Sequence, residues 1–299
     1  MIPRHRAFAI QLDSRPRVLV PVLMGQMARP AISIGDALAT SPGGSGNVLA
    51  LVEIRVGRDH EVFAQEQRRR DMLRWVAGLE YSGDVRRRLS LTLRMSANAA
   101  STVRDALVEN ETTNLVLEWP TLSSARRHGL TDLARQLLPE RGTDIILVRS
   151  SRHAPDRAIV PRSIMAAIRG GSSARIVAGT AAALADAFGS SLTLLHVRTD
   201  SQHPDRSRRE WESFEEIVEE MHRPSTSVRL HRHESPATGI LEEATGQDLV
   251  IIGSRLDASR PSAVIGRDLQ RVVRQLESPV LMIRPKQAAR RASSNGHRP

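Results

Sequence analysis

Residues 247–285 read QDLVIIGSRLDASRPSAVIGRDLQRVVRQLESPVLMIRP. The apolar run DLVIIG stops at a glycine, a polar loop follows, Gly266 opens a helix-compatible stretch, and PVLMIR closes as a second apolar run. Strands with no apolar–polar alternation are buried on both faces, which is the pattern of a parallel sheet covered by helices. In such sheets, a strand that ends in glycine and feeds a helix amino terminus is where anions and nucleotides are held. Free N–H groups and the helix dipole converge there. This stretch therefore predicts the fold class and the place to look for function.

Working outward, the chain states one order of elements twice. The first half runs through the strand RVLVPV (17–22), a helix around 29–40, a Gly/Ser/Pro turn SPGGSGN, and the strand VLALVEI (48–54). A long amphipathic segment from His60 to Leu79 follows, then a strand LSLTLRM, a helix STVRDALVEN, a strand NLVLEW, a helix GLTDLARQLL and a strand DIILVR (144–149). The second half repeats this with SIMAAI (163–168), SARIVAGTAAALADAFG, SLTLLHV (191–197), REWESFEEIVEEM, SVRLHRH, ATGILEEATG, DLVIIG (248–253), VIGRDLQRVVRQLE and PVLMIR (279–284). The predicted fold is α/β: two tandem five-stranded parallel sheets with helices on both faces. The boundaries are residues 16–150 and 162–286, joined by the proline-bearing linker SSRHAPDRAIVPR, with a polar, basic tail at 287–299 expected to be disordered. Each half ends in an apolar strand that would lie at a sheet edge and needs cover, so DIILVR and PVLMIR are expected to meet as an internal pseudo-dimer.

Composition removes several alternatives. A length of 299 residues with 40% hydrophobic content suits two ordinary cores. There is no cysteine, which excludes disulfides, thiolate zinc sites and cysteine nucleophiles. No apolar run is long enough to cross a bilayer, and MIPRHRAFAIQLDS lacks the hydrophobic segment of a secretion signal, so no membrane insertion and a cytoplasmic location are expected. Net charge of +10 invites a nucleic-acid reading, which would predict a steep loss of affinity with salt. The surplus arginines, however, sit at the termini and in short clusters at Arg68–Arg70 and Arg86–Arg88, and only 3% of residues are aromatic, too few for a base-stacking platform.

On the order of elements, the strand DLVIIGSR, the loop before Gly266 and the ending SPVLMIRP, the chain resembles the universal stress protein family, as a tandem pair over residues 16–286. The first half resembles it more weakly, through RVLVPV and TDIILVR. The second half also resembles the soluble stress-protein-like tails of some amino-acid permeases, in which an arginine-glycine-glycine loop follows the first strand; here that loop is Arg169, Gly170 and Gly171. The resemblance implies the adenine-nucleotide alpha-hydrolase-like fold, pairing through last strands, and a role in stress response with a protein partner or a homodimer. Nucleotide-binding members carry Gly, two residues, Gly, nine residues, Gly, then Ser or Thr, with an aspartate after the first strand.

This chain departs from that pattern. In the second half Gly253 and Gly266 are present, but the middle glycine is Leu256, the hydroxyl position is Arg267, and the aspartate position is Arg169. A leucine side chain where bare backbone must approach phosphate obstructs the cradle and disfavours positive φ. In the first half the glycine position is Trp119 followed by Pro120, only Gly129 remains, and the aspartate position is Leu23 or Met24. The sequence therefore predicts a non-catalytic binding or regulatory module with a degraded nucleotide pocket in the second half, no enzyme, and no obligate cofactor. The alternative is an ATP-binding member with weak ATPase or self-phosphorylation. The pocket expected for a nucleotide or small anionic ligand is lined by Arg169, Gly170, Gly171, His196, Val197, Gly253, Ser254, Arg255 and Gly266. Gly170 and Gly171 would lie beneath base or ribose, and Ser254, Arg255 and Gly266 near phosphates, where arginine forks bind oxygens bidentately.

Other constellations read as structural. His231 and His233 alternate in SVRLHRHE, sharing one strand face with Glu234 near; without a third ligand they read as surface residues rather than a metal site. His196 reads as a histidine hydrogen-bonded at the core edge, with cleft lining as the functional alternative. In RGGSSAR, Ser172 or Ser173 is placed to cap the helix that follows. WESFEEIVEE has the spacing of a solvated helix face, and no GxxxxGK[ST], GxSxG or HExxH occurs.

Overall fold

A computed structural model of the chain describes residues 15–23, 28–53, 66–67, 69–71, 73–74, 88–119, 128–199, 204–221, 225–254 and 267–286. In chain order the strands are β1 Arg17–Leu23, β2 Ser45–Glu53, β3 Leu89–Ser96, β4 Asn114–Trp119, β5 Asp144–Arg149, β6 Ser163–Ala167, β7 Ser191–Thr199, β8 Thr226–His233, β9 Leu249–Gly253 and β10 Val280–Arg284. The helices are α1 Arg29–Ala39, α2 Ala99–Glu109, α3 His128–Leu137, α4 Ser172–Phe188, α5 Pro204–Met221, α6 Pro236–Glu243 and α7 Arg267–Gln275. Helical residues at 66–67, 69–71 and 73–74 fall within the amphipathic segment expected at 60–79; the rest of that segment, and the tail from 287, lie outside the described residues.

The strands form one ten-stranded sheet in the order β3-β2-β1-β4-β5-β10-β9-β6-β7-β8. Within each half every pairing is parallel, and β5 meets β10 antiparallel with Met282 opposite Leu147 at the centre. The sequence anticipates two sheets; the structure fuses them into one, because joining the two apolar last strands removes two sheet edges at once. Both strands are buried along their whole length.

Two apolar layers flank the sheet and both run through the two halves. One packs α1, α4 and α5 against the sheet, with Ile32, Val177, Leu184, Phe214 and Ile217 in its interior. The other packs α2, α3, α6 and α7, with Val103, Leu137, Ile240 and Val272. The linker is not a bare tether: Ile159 is buried in the first layer and its N–H donates to Ser33 Oγ at 2.9 Å, tying it to α1. Burying such side chains contributes roughly 1.5–3 kcal/mol each before conformational entropy is charged against it.

Local sequence fixes the element ends. Asn98 Oδ1 accepts from Ser101 N and caps α2, and Ser235 Oγ accepts from Thr238 N and caps α6. Strand β2 begins at Ser45, inside the stretch expected to be a turn, because Ser45–Asn47 pair with Arg17–Leu19. No helix among the described residues is long and apolar enough to cross a membrane.

Candidate functional site

In the second half, β6 lies between β9 and β7. The helix after β6, α4, packs on one face of the sheet, whereas α7, after β9, packs on the other. Where successive connections leave in opposite directions, a crevice opens at the carboxyl ends of the strands. Ala167 and Ile252 are register partners, so residues 168–171 and 253–254 emerge side by side at that crevice.

The loop 168–171 is held by specific contacts. Ile168 N–H donates to Leu195 O at 2.8 Å, prolonging the ladder with β7. His196 Nδ1 lies 2.9 Å from Ile168 O and donates to it, which leaves Nε2 without a proton in the neutral ring. The imidazole is only 1% exposed and packs against Trp211 and Phe214, with ring centroids 5.8 and 5.1 Å away. Burial pushes its pKa below the ordinary histidine value, partly countered by the Ile168 carbonyl and Glu210. This is the core-edge histidine, neutral and already committed to a backbone carbonyl.

Gly170 and Gly171 have φ of 99° and 84°, a region that side-chain-bearing residues rarely adopt. At Gly170 the reason is visible: an added Cβ would lie 2.6 Å from Glu210 O and 2.9 Å from Glu210 Cα. Gly171 N–H donates to Ser213 Oγ at 3.2 Å, and Arg169 Nε lies 3.3 Å from a Glu210 carboxylate oxygen. The middle of α5, from Glu210 to Ser213, therefore lies directly on this loop. Gly171, not Ser172 or Ser173, is the N-cap of α4, and no side chain caps it. The expectation of a serine cap is corrected: the positive φ at Gly171 starts the helix one residue earlier, so both serines fall within it.

The remaining expected residues divide. Gly253 is half-buried, with Val177 Cγ2 of α4 3.0 Å from where its Cβ would be. Ser254 is buried and its N–H donates to Ile283 O at 2.8 Å, so β9 stays paired with β10 one residue beyond its end. Val197 follows His196 on β7, and strand alternation sends it to the opposite face, against Gly239 of α6. His196 and Val197 thus do not share a wall. Arg255, Leu256 and Gly266 lie outside the described residues, as does the side chain of Arg267.

On edge strand β8, His231 and His233 share one face, with ring centroids 4.8 Å apart. Each is taken by a carboxylate of α6: His231 Nδ1 is 2.6 Å from Glu243, and His233 Nε2 is 2.8 Å from Glu242. No group of three metal-ligating residues occurs among the described residues.

In the first half, Leu23 is buried and Trp119 half-buried at the corresponding strand ends, while Met24 and Pro120 lie outside the described residues. The buried Glu118 was not anticipated from sequence, nor were the contacts of Glu210 and Ser213, which sit in a helix read as solvated. The paired glycines were the available signal, since two in succession imply a close neighbour.

Comparison with known proteins fits this architecture. Residues 161–284 match the model of the Universal stress protein family. The match to that family falls on the second half. No curated protein matches the chain. Among solved structures, the chain is similar to a universal stress protein from Archaeoglobus fulgidus DSM 4304 at 12% identity and TM-score 0.61, covering 94% of this chain and 98% of that one. A putative universal stress protein from Pseudomonas aeruginosa UCBPP-PA14 is similar at 15% identity and TM-score 0.56, over 90% and 93% of the two chains. The cytoplasmic domain of a prokaryotic cation chloride cotransporter is similar at 14% identity and TM-score 0.55, over 91% and 96%. At these identities the likeness is one of fold, and it extends through both halves.

Proposed function

We propose that the chain is a non-catalytic binding and regulatory module of the stress protein type, with a small anionic ligand or nucleotide received at the second-half crevice. The observation that carries this reading is the switch point between β6 and β9, bordered by Gly170, Gly171 and Gly253, where backbone rather than side chain faces the ends of the strands. Such a site offers N–H groups and the Arg169 guanidinium to an anion. Among the described residues its histidine is not placed for proton transfer, because His196 is buried and bonded to Ile168 O, and the Glu210 carboxylate is paired with Arg169. Leu256 and Arg267, in place of glycine and hydroxyl, support a pocket degraded relative to that of nucleotide-binding members.

We take the two halves as an internal pseudo-dimer. The pairing supports this, for Arg149 stands opposite Val280 and Arg284 opposite Ile145. Signalling to a protein partner in the cytoplasm completes the proposal.

Native mass spectrometry of the full chain as purified, together with a phosphate-release assay on magnesium ATP, tests it. One anionic adduct per chain without phosphate release is expected. Steady phosphate release would contradict the non-catalytic reading, and a bare chain that takes up no anion would contradict the binding one.

A further inference from the structure

Helix α5 does more than cover the core. Its apolar residues Trp211, Phe214 and Ile217 pack inward, but Glu210 and Ser213, each next to one of them in sequence, turn to the loop after β6. Each polar contact there has the form that an anionic ligand would take. The Glu210 carboxylate sits on the Arg169 guanidinium as a phosphate oxygen would, and it is itself only 15% exposed, whereas Arg169 is 56% exposed. The Ser213 hydroxyl accepts from Gly171 N–H, the group that an anion at the start of α4 would use. Gly170 and the Glu210 main chain are in contact, so the loop has no room for a guest while α5 is seated.

We infer that α5 is an autoinhibitory clasp: the Glu210–Ser213 turn occupies the Arg169–Gly171 loop, and an anionic ligand enters only by displacing it. This rests on the crevice being the ligand site. It turns ligand binding into a movement of α5, which forms part of the surface of the second half, and so into a signal that a partner can read. The clasp is polar at the loop, where it is held by the Arg169–Glu210 ion pair and the Gly171–Ser213 hydrogen bond, and apolar behind it, where Phe214 and Ile217 are buried. A second ion-pair set, Glu216 and Glu220 of α5 with Arg175, joins the first turn of α4 rather than the loop and serves as a control.

The test is calorimetric titration of the full chain with magnesium ATP and with inorganic phosphate, comparing the wild type with Glu210→Gln, Ser213→Ala and Glu220→Gln. Thermal melts establish that each is folded, and amide exchange is followed over residues 168–174. We expect about ten-fold tighter binding and faster exchange in Glu210→Gln, a smaller gain in Ser213→Ala, and wild-type behaviour in Glu220→Gln. Binding of equal strength in all four proteins overturns the clasp and leaves the crevice standing. Binding by none of them overturns both. Should Glu210→Gln fail to fold, Ser213→Ala decides alone.

Discussion

The two halves share a topology and differ in what they place at its functional end. In the second half, the strand ends carry Gly170, Gly171 and Gly253, and backbone comes to the surface of the crevice. In the first, Leu23 and Trp119 occupy the corresponding ends, with Glu118 buried beside them. The sheet order dictates a crevice in each half; the residues at the strand ends decide whether it can hold anything. A second contrast lies at the joint. Arg149 donates to the carbonyls of Leu276 and Ser278 just before β10, and Arg284 donates to those of Glu140 and Thr143 just before β5, a reciprocal arrangement. Yet Arg284 has Asp144 and Glu140 beside it, whereas Arg149 has Arg152, and burial with that like charge pushes Arg149 down to about 10. Matching backbone geometry has been supplied with unequal charge.

The largest effect is expected where the halves meet. Leu147→Ala, opposite Met282 at the centre of the joint, should destabilise the protein by about 2–5 kcal/mol in denaturant unfolding and should affect both halves in one transition. Two separate transitions, with the second half unmoved, would show that the halves are independent. Next comes Gly170→Ala, which forces a side chain into positive φ and against Glu210, and should cost about 2–3 kcal/mol. Gly142→Ala in the first half, with nothing within 4 Å of the new Cβ, should be neutral in the same thermal melt.

The arginines sharpen the contrast further. Arg284→Met removes the donor to the carbonyls of Glu140 and Thr143 and the positive charge beside Asp144, and should cost about 2 kcal/mol. Arg149→Met also leaves two carbonyls, those of Leu276 and Ser278, without their donor, but it removes a cation that burial and Arg152 disfavour, and it should cost less than Arg284→Met in the same measurement. Equal losses would erase the asymmetry.

The smallest effect is that of pH. Because His196 has a folded pKa below its ordinary 6.5, the unfolded chain takes up the proton first. Its effect on stability is therefore nil above that value. Stability then falls as pH drops through 6.5, at no more than about 1.4 kcal/mol per unit, until the folded ring itself is protonated. Glu210, Arg198 and Arg169 are the charges that face it. His196→Gln should flatten the acid limb of the stability profile, and an unchanged limb would assign that slope to other groups.

Much of the fold was legible in the chain because its central strands are continuous apolar runs: NLVLEW and DIILVR match β4 and β5 residue for residue. Where composition misleads, the reading slipped. Ser45–Asn47 look like turn residues but are held in β2 by their neighbours on both sides. That two sheets become one is a property of long-range pairing, which no local pattern contains. At the site, the sequence shows the glycines after β6 but not the neighbour that requires them. Glu210 and Ser213 lie in a helix whose other carboxylates are solvent-facing, and nothing in WESFEEIVEE distinguishes the turn that folds back on the loop. His196 and Val197 are adjacent in sequence, but strand alternation sends them to opposite faces.

The central claim is that ligand recognition belongs to the second-half crevice alone. Amide hydrogen exchange of the full chain with and without saturating magnesium ATP tests it most directly. The account predicts altered exchange at residues 168–174, 210–214 and 253–254, with the ends of β1 and β4 at Leu23 and Trp119 unchanged. Protection at Leu23 and Trp119, with the second half untouched, would contradict it.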